Sequence, residues 1–474
     1  MMMRNISDKQ KIYELSLIWK EAEYNFGMWG KLGGKLDWDK AYRDVLDAVL
    51  ATENLYAYYR ELSKFVALLR DGHTDVSFPE AIQTAPEYTA KLPILTRLIE
   101  GKRVITNVKA SAAARVKRWS IIEKVDGIPL ENYAKQHIYP YIWHEKLDSV
   151  DWRIDNLLRC GAEGSTVEFT LLFDGQSSTV TLERTKGDTS WAYEEPHLQA
   201  REAASGWGNV YEYDSDTHSI QMTPDGIAII TIPSMSDEGL PADFFASYPL
   251  LEKARGYVLD VRYNDGGSTH NEAPVAATFI GKNFPACIER FPIHIGTFKA
   301  WARFCNFSHD TWEEQLAFYQ SQPEYCATMT KWHERQFKIP RREYSEIIKN
   351  PYDDDEYNIP GHLTAPLVVL VSPETCSAAE DFVIRLKYSG RATLIGTATY
   401  GSTGQPLSIQ LESGGTVRIC TKHCLLPNGD EFINVGVTPH IYCELSLEDI
   451  QNGIDTVMEK GLDEVRKMCK EVSL

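Results

Sequence analysis

The sequence lacks several features that would assign it to a common class. No run of 18 uncharged apolar residues occurs, so no transmembrane helix is predicted. Basic residues are outnumbered 49 to 67, and the net charge of −18 argues against a general nucleic-acid-binding protein, which needs a cationic surface. Nine scattered cysteines, an odd number, are typical of reduced thiols and not of a disulfide framework. The N-terminus has no apolar signal core, which favours a cytoplasmic protein, or an exported one whose leader is absent from this chain.

Several catalytic and ligand-binding motifs are also missing. There is no Gly-x-Ser-x-Gly elbow, no His-Glu-x-x-His zinc motif and no phosphate-binding Gly-Lys-Ser/Thr loop. The segment Cys420-Thr-Lys-His-Cys424 holds thiol and imidazole groups close together, but no second ligand pair follows at zinc-finger spacing. On an alternating strand Cys420 and Cys424 would face one way and His423 the other. The sequence therefore predicts neither a metal site nor a cofactor.

One stretch has the layout expected around a catalytic nucleophile. The apolar run 367–371 predicts a buried strand, a serine–proline pair ends it, and a helical pattern begins at Ala378 and stops at Gly390. Ser377 thus lies just before the first turn of a helix. Free backbone N–H groups and the positive end of the helix dipole are found there, and both stabilise an oxyanion. The ordinary alternative is that Ser377 is only a helix N-cap.

Two further segments are candidates for the same site. The predicted strand 256–262 runs into Gly266-Gly267, and adjacent glycines after a strand let backbone N–H groups turn outward, as an oxyanion hole requires. An ordinary turn is the alternative. His73 lies in the loop 71–75, after a helical region. A loop histidine is either a catalytic base or, more commonly, a surface or core residue.

The patterns along the chain predict four successive segments. Residues 1–90 are mainly helical, and residues 91–187 are rich in short strands, including a hairpin across Asp174-Gly175. Residues 188–217 lack periodicity and are predicted to form a linker. From 218 to 474 buried strands alternate with helices, interrupted by an aromatic and acidic segment at 297–360. That segment is either core and solvated loop, or a lid or groove wall.

Several motifs occur in the order found in one protein family. Asp71-Gly-His-Thr74 resembles a histidine loop, and Leu259-Asp-Val-Arg-Tyr-Asn-Asp-Gly-Gly267 resembles the signature strand, Asp, x, Arg, x, Asn, x, Gly, Gly. Thr375-Cys-Ser-Ala-Ala-Glu380 resembles a nucleophile motif, and 390–396 and 436–440 resemble flanking segments. On these residues the chain resembles the tail-specific (C-terminal processing) serine proteases. The similarity is to the branch that includes the tricorn core protease and the interphotoreceptor retinoid-binding repeats.

The resemblance implies an α+β multidomain fold. It implies a helical N-terminal region carrying the His73 loop at 1–90, a PDZ-like β module at 91–187 and a crotonase-like ββα catalytic core at 218–474. A PDZ-like module would hold the C-terminus of a substrate by adding the peptide as a strand. The implied partner is therefore a peptide or protein substrate, and the sequence predicts no oligomeric state.

The resemblance also implies roles for residues at the site. The Ser–Lys branch of the family carries a lysine about 25 residues after its nucleophile, and Ser402 stands there in this chain, so a Ser–His pair with His73 as general base is implied. The N–H groups of Gly266 (or Gly267) and Ala378 would then hold the oxyanion.

Supporting residues are implied less directly. Tricorn-type enzymes have a serine before the histidine, where this chain has Gly72, and a glutamate at the position that Ile433 occupies here. Glu431 lies two residues earlier and, on a strand, on the same face, so we expect it to be the group that orients His73. Glu380 matches a family glutamate one helical turn after the nucleophile, although the favourable electrostatics of a helix start explain it equally well.

Together these features predict a serine endopeptidase that cleaves peptides or unfolded polypeptides through an acyl-enzyme at Ser377, with no cofactor. Two alternatives use the same fold. One is a non-catalytic binding protein for an apolar ligand or a peptide, suggested by the aromatic segment 297–360 and by Gly72. The other is an esterase that uses the same Ser–His pair.

Overall fold

The computed structural model describes residues 6–187, 190–193, 212–281, 284–290, 300, 312–322, 330, 334, 352–353 and 357–472. Most of the predicted linker and most of the aromatic and acidic segment 297–360 lie outside the described residues. Among the described helices none is both long and apolar enough to cross a membrane.

The described α-helices begin and end as follows: α1 Asp8–Asn25, α2 Trp29–Leu32, α3 Trp38–Leu50, α4 Leu55–Ala67, α5 Glu80–Gln83, α6 Pro86–Thr89, α7 Leu130–His137, α8 Asp151–Arg159, α9 Leu240–Leu251, α10 Thr269–Ile280, α11 Trp312–Gln320, α12 Ala378–Tyr388, α13 Leu447–Gln451 and α14 Thr456–Val472. Short 3₁₀ helices lie at Tyr139–Tyr141 and Leu147–Val150. The strands are β1 Asp75–Ser77, β2 Ala90–Lys91, β3 Ile94–Ile99, β4 Lys102–Val108, β5 Ile121–Val125, β6 Ile128–Pro129, β7 Cys160–Gly161, β8 Thr166–Phe173, β9 Gln176–Glu183, β10 Tyr213–Asp214, β11 Ser219–Met222, β12 Ile227–Thr231, β13 Gly256–Asp260, β14 Phe284–Pro285, β15 Ile288–Arg290, β16 Tyr352–Asp353, β17 Leu367–Val371, β18 Thr393–Gly396, β19 Pro406–Gln410, β20 Thr416–Cys420, β21 His423–Leu425 and β22 Ile441–Tyr442.

The chain divides into two compact units. The first unit comprises Met1–Glu80, Ile288–Lys349 and Gly404–Cys424, and the second comprises Ala81–Cys287, Asn350–Thr403 and Leu425–Leu474. Both units are therefore built from separate stretches of chain, and the boundaries of the four predicted segments stay a prediction.

The first unit contains the helices α1–α4 and the antiparallel sheet β1-β20-β19. Ser7 caps α1, since its side chain accepts a hydrogen bond from the N–H of Gln10. A buried polar contact ties α1 to the β19–β20 turn, because Glu14 Oε1 accepts the N–H of Ser413 at 2.7 Å. The His73 loop lies between α4 and β1 and is thus held by both a helix and a sheet.

The β-rich module is part of the second unit. Its antiparallel sheet has the order β3-β4-β5-β8-β9, with β6 paired to β5. The predicted hairpin is present: β8 and β9 pair along their whole length, and Asp174 and Gly175 have φ of 48° and 76°, the positive values that a two-residue hairpin turn needs. The helices α7 and α8, which the strand-rich pattern did not predict, complete the module.

The second unit also contains a mostly parallel sheet with the order β10-β11-β12-β13-β17-β18-β22. Strands β12, β13, β17, β18 and β22 are parallel to one another, whereas β10 and β11 are antiparallel to their neighbours. Every residue of β12, β13 and β17 is buried, as the continuous apolar runs predict for strands covered on both faces.

The C-terminal region contains two helices. Ser446 caps only the short helix α13, through a hydrogen bond from the N–H of Asp449 at 3.0 Å. A longer helix, α14, follows, and its Leu462 and Val465 pack against the apolar residues of the parallel sheet. The helical period is interrupted at Asn452 and Gly453, which accounts for the second helix start.

Candidate active site

The nucleophile candidate and the glycine pair follow the carboxyl ends of two neighbouring parallel strands. Strand β13 pairs with β17 in parallel register, so both chains leave the sheet at the same edge. Ligands and reacting groups in open parallel sheets gather at this edge. The segment after β13 leads to Gly266, and the segment after β17 leads to Ser377.

Side-chain and backbone hydrogen bonds fasten these two segments to each other. The hydroxyl of Thr375 donates to the carbonyl of Val261 at 2.7 Å. The N–H of Cys376 donates to the carbonyl of Asn264 at 2.9 Å. The residue immediately before Ser377 is therefore tied to the residue two positions before Gly266, which fixes the relative position of the two loops.

Ser377 occupies the N-cap position of α12 in an unusual backbone conformation, with φ 56° and ψ −124°. A residue with a Cβ rarely adopts positive φ, and such strain costs about 1–3 kcal/mol. The Ser377 N–H lies 3.2 Å from Glu380 Oε2 and 3.3 Å from the carbonyl oxygen of Ser402. The N-cap and nucleophile interpretations are thus compatible, since the same residue starts the helix in a sharp strand-to-helix turn.

The glycine pair has a steric reason to lack side chains. Gly266 has φ 95°, and a Cβ there would lie 2.6 Å from the Cβ of Ser377 and 3.0 Å from the amide nitrogen of Ala378. Gly267 has φ 145°, and its Cβ would lie 2.2 Å from the backbone carbon of Met235. The glycine backbone therefore approaches the serine turn more closely than any other residue type permits.

The N–H groups at this turn are not equivalent. The N–H of Gly266 already donates to the side-chain oxygen of Asn264 at 2.9 Å. For the N–H groups of Gly267 and Ala378, the described part of the chain shows no acceptor. Ala378 is the first residue of α12, where the helix itself leaves the N–H without a partner.

Glu380 is a fully buried carboxyl at the centre of this arrangement. It accepts hydrogen bonds from the hydroxyl of Thr399 at 2.5 Å and from the N–H groups of Gly401 at 2.7 Å, Ser402 at 3.1 Å and Ser377 at 3.2 Å. Burial raises the pKa of Glu380 to about 8, and the donated hydrogen bonds oppose that rise. The carboxyl thus joins the Ser377 turn to the loop 399–402. Favourable electrostatics at the helix start, the local explanation from the sequence, do not account for these contacts.

Ser402 contributes to this joint through its backbone. It is fully buried, its N–H donates to Glu380, and its carbonyl accepts from the Ser377 N–H at 3.3 Å. Its carbonyl also accepts a long hydrogen bond from the thiol of Cys376 at 3.9 Å. The position at which the Ser–Lys branch carries its lysine is therefore packed directly against the serine turn.

His73 lies in the first unit, in a loop held by its neighbours. The buried carboxylate of Asp71 accepts from the N–H of His73 at 3.2 Å and from the hydroxyl of Thr74 at 2.6 Å. The Thr74 hydroxyl in turn accepts the N–H of Cys420 at 2.9 Å, which joins the loop to β20. The loop geometry is thus fixed by side chains on either side of the histidine.

The surroundings of the His73 ring disfavour its protonation. Burial, together with the nearby cations of Arg418 and Lys422, lowers the pKa of His73 to about 3. The imidazole is therefore neutral at pH 7 and able to accept a proton. Gly404 lies against the ring, since a Cβ at that position would be 2.8 Å from Cγ of His73.

Glu431 differs from the expectation that it lies on a strand. Apart from a single bridge to Leu425, the residues from Glu431 onward form a turn. Its Oε1 accepts the N–H groups of Phe432 at 3.0 Å and Ile433 at 2.9 Å. The expected alternation of faces therefore does not apply, because the carboxylate folds back onto its own backbone in a turn.

Within the second unit the structure brings together Ser377, Gly266, Ala378, Glu380 and Ser402. His73 belongs to the first unit, and its pairing with Ser377 stays a prediction, as does its orientation by Glu431. Among the described residues, no group of three His, Cys, Asp or Glu side chains is arranged to hold a metal ion.

Several residues that shape these loops were not predicted from the sequence. Asn264 receives the N–H of Gly266 and Asp71 fixes the His73 loop, yet both stand inside motifs already singled out. Gly404 stands in the glycine-containing loop after Thr399, whose hydroxyl binds Glu380. Their partners are distant in sequence, so the only local signal was the density of Gly, Asn and Asp in loops after strands.

Comparison with known proteins gives a consistent result. A model described as "Peptidase family S41" matches residues 226–291 and 313–443, which include the Gly266 and Ser377 turns. A carboxy-terminal-processing protease of Bartonella bacilliformis is 32% identical over 105 residues, which are 22% of this chain and 24% of that protein. The carboxy-terminal processing protease CtpA of Bacillus subtilis is 32% identical over 83 residues, 18% of each chain. The aligned segments thus span a quarter or less of these curated relatives.

Solved structures show the same fold over the whole chain. The structure titled "mature CPAF complexed with lactacystin" has a TM-score of 0.70 and 16% identity, and the alignment covers 98% of both chains. A second structure, of mature CPAF, has a TM-score of 0.69 and 15% identity with the same coverage. The family model and the curated relatives confirm the predicted resemblance to the tail-specific proteases, a family of serine-type peptidases. The solved structures show a shared fold, an architecture that mixes helices and sheets.

Proposed function

We propose that this chain, which matches the model of peptidase family S41 over residues 226–291 and 313–443, is a serine peptidase that cleaves peptides or unfolded polypeptides through an acyl-enzyme on Ser377. The observation that carries the proposal is the turn of Ser377. Its backbone is held at φ 56° and ψ −124°, and Gly266 approaches so closely that a Cβ there would lie 2.6 Å from the serine Cβ. A strained serine at a strand-to-helix turn, opposite a backbone without side chains, is the arrangement that an exposed nucleophile needs.

The proposed reaction begins when Ser377 Oγ attacks the scissile carbonyl and its proton passes to His73. The carbonyl oxygen becomes an oxyanion, which the N–H groups of Gly267 and Ala378 hold. The Gly266 N–H is not assigned this role because Asn264 already accepts it. His73 then donates the proton to the leaving amine, and a water molecule releases the acyl group by the reverse sequence. Each oxyanion donor typically contributes ~10²-fold or more to the rate.

The choice of His73 as the base follows from the family resemblance. Burial and the cations of Arg418 and Lys422 lower the pKa of His73, which leaves the ring neutral at pH 7, the form that a general base needs. The pairing of His73 with Ser377 stays a prediction.

Glu380 is proposed as a positioning residue. Its carboxyl receives the N–H of Ser377 and those of Gly401 and Ser402, so it holds the strained turn in place without touching the substrate. An orienting role of Glu431 toward His73 stays a prediction of the family resemblance.

The finer architecture is part of the proposal. The parallel sheet of the second unit would be the crotonase-like core within 218–474, and the six-stranded sheet with α7 and α8 would be the PDZ-like module within 91–187. The helices α1–α4 would be the N-terminal region within 1–90, which carries the His73 loop after α4. That this module grips the C-terminus of a substrate stays a prediction of the resemblance.

Labelling with a fluorophosphonate probe tests the proposal directly. We expect the wild-type protein to label, Ser377→Ala not to label, and His73→Ala to label at least ~10²-fold more slowly. The matched control is His270→Ala, because His270 is an exposed histidine at the start of α10 and we expect no effect there. Folded wild-type protein that does not label between mildly acidic and mildly basic pH would contradict the proposal and favour the non-catalytic binding protein.

A further inference from the structure

Strand β3 is an edge strand of the β-rich module. It pairs with β4 on one side, and on its other side it faces helix α8. An edge strand presents unpaired N–H and C=O groups, and an added peptide strand binds by pairing with them. If the module held the C-terminus of a substrate as the resemblance implies, the peptide would bind in the groove between this edge strand and the helix.

The N–H groups of this edge are already hydrogen-bonded. Asp155 Oδ1 accepts the N–H of Thr96 at 2.9 Å and the Thr96 hydroxyl at 2.8 Å. Asp151 Oδ2 accepts the N–H of Leu98 at 3.0 Å. Thr96 and Leu98 are two residues apart, so their N–H groups point to the same side of the strand. The two aspartates therefore take the place that the carbonyl oxygens of an added peptide would occupy.

The spacing of helix and strand explains why two aspartates fit. Asp151 and Asp155 are four residues apart on α8, which places them on one face and about 6 Å apart along the axis. The N–H groups of Thr96 and Leu98 are about 6.6 Å apart along β3. The spacing of the two aspartates thus matches the spacing of the two N–H groups. Asp151 binds Leu98 and Asp155 binds Thr96, so the helix runs antiparallel to the strand.

Ion pairs keep both carboxylates in place. Asp155 pairs with Arg159 at 2.7 Å, and Asp151 pairs with Arg103 at 2.5 Å. All four residues are buried, with side chains at most 11% exposed. A buried carboxylate with a paired cation has no reason to turn out into water, and removing either partner would leave an uncompensated buried charge.

Backbone contacts hold α8 at both ends as well. At its C-terminal end the carbonyl of Arg159 accepts the N–H of Leu92 at 3.1 Å, two residues before β3 begins. In the turn before α8 the hydroxyl of Ser149 donates to the carbonyl of Tyr400 at 3.1 Å. A peptide that pairs with β3 would therefore have to displace two carboxylates on a helix whose ends are held in place.

We propose that α8 occupies the peptide-accepting edge of this module, so that the module is closed to strand addition and does not hold the C-terminus of a substrate at β3. This goes beyond the proposed chemistry at Ser377 and stands or falls separately from it, because neither Asp151 nor Asp155 belongs to the catalytic set.

Peptide binding to the full chain tests the closed edge. The Ser377→Ala protein would be titrated with fluorescein-labelled twelve-residue peptides that end in apolar residues, each as the free carboxylate and as the amide. We expect no saturable binding up to ~1 mM and no preference for the free carboxylate. Saturable, carboxylate-dependent binding that alters backbone amide exchange in Ile94–Ile99 would overturn the proposal. Binding that leaves exchange in this strand unchanged supports it, since the peptide then sits elsewhere.

Amide hydrogen exchange of the protein without peptide provides the second measurement. We expect the amides of Thr96 and Leu98 to be protected although β3 is an edge strand, and to exchange about tenfold faster or more in D151A/D155A, which lacks both acceptors. Glu163→Gln, an exposed acid four residues after α8, is the control and should change nothing. Unprotected amides at Thr96 and Leu98 in the wild-type protein would refute the closed edge even if the double variant did not fold.

Discussion

The close approach of Gly266 to the serine turn makes Gly266→Ala the sharpest test of the proposed nucleophile. A Cβ at this position would lie 2.6 Å from the Cβ of Ser377 and 2.6 Å from the carbonyl oxygen of Cys376. Carbon atoms in contact are normally separated by about 3.5 Å or more, so the turn must move by about 0.9 Å. A displacement near 1 Å at a reacting group typically costs ~10²-fold in rate.

The same substitution has a separate effect on stability. Alanine at positive φ costs about 1–2 kcal/mol, and the added overlap costs about 1–3 kcal/mol more. Gly429→Ala is the matched control, because Gly429 has φ 88° against 95° for Gly266 and no heavy atom lies within 4 Å of its Cβ position. The control carries the backbone strain without the overlap, so the difference between the two variants isolates the displacement of the serine.

The assay is the second-order rate of fluorophosphonate labelling, measured on protein whose fold is checked by circular dichroism. We expect the rate to fall about 10²-fold in Gly266→Ala and by less than about threefold in Gly429→Ala. If the folded Gly266→Ala protein labelled as fast as the control, the reactive serine would not depend on this turn. The assignment of Ser377 and its oxyanion donors would then have to be abandoned.

Three further predictions concern the neighbours of the site. Glu380→Gln should slow labelling by about 10–10²-fold. In the wild-type protein both carboxyl oxygens accept hydrogen bonds, and in the variant an amide NH₂ group would face donors in place of one oxygen. The same variant should remove a pH dependence of stability: with its pKa raised to about 8, Glu380 contributes stability that is present below about pH 4.5 and is lost as pH rises toward 8. Lys422→Met should raise the pKa of His73, since a nearby cation is removed, and should shift the acidic limb of the kcat/KM profile to higher pH. Gly404→Ala should slow labelling about tenfold or more, because its Cβ would lie 2.8 Å from Cγ of the His73 ring.

Each of these predictions has an outcome that contradicts it. Glu459→Gln, an exposed acid on α14, is the control for Glu380→Gln, and equal labelling rates in the two variants would exclude the positioning role. An unchanged acidic limb in Lys422→Met would mean that His73 is not the group whose titration limits activity. Normal labelling by folded Gly404→Ala would show that the ring of His73 can move without consequence for Ser377.

Local features of the site could be predicted from sequence because local rules determine them. The strand Leu367–Val371, the helix start at Ala378 and the turn at Asp174-Gly175 follow from apolar runs, caps and positive-φ residues. The role of Glu380 could not be predicted, since its partners Thr399, Gly401 and Ser402 are some twenty positions away and are met only in the folded chain. Favourable electrostatics at a helix start are a sufficient local reason for a glutamate there, so nothing in the sequence predicted its hydrogen bonds to the loop 399–402.

The remaining differences have the same origin in long-range packing. Glu431 was assigned to a strand face by alternation, but its carboxylate caps its own turn. Neither helix α8 nor a role for its aspartates was predicted from the sequence. Their contacts with Thr96 and Leu98 depend on how a helix packs on an edge strand more than fifty residues earlier. Sequence periodicity indicates which face of a helix or strand is apolar, but it does not indicate which polar groups form hydrogen bonds with one another.

The turn of Ser377 also separates the peptidase from a binding protein on the same fold. Holding a serine at φ 56° costs about 1–3 kcal/mol, which a helix N-cap does not require, since Ser7 and Ser446 cap helices with ordinary φ of −71° and −84°. A protein that only binds a ligand gains nothing from this strain. A peptidase gains a serine hydroxyl held beside backbone N–H donors. The strained conformation, together with a neighbouring glycine that no other residue can replace without overlap, therefore favours catalysis over binding.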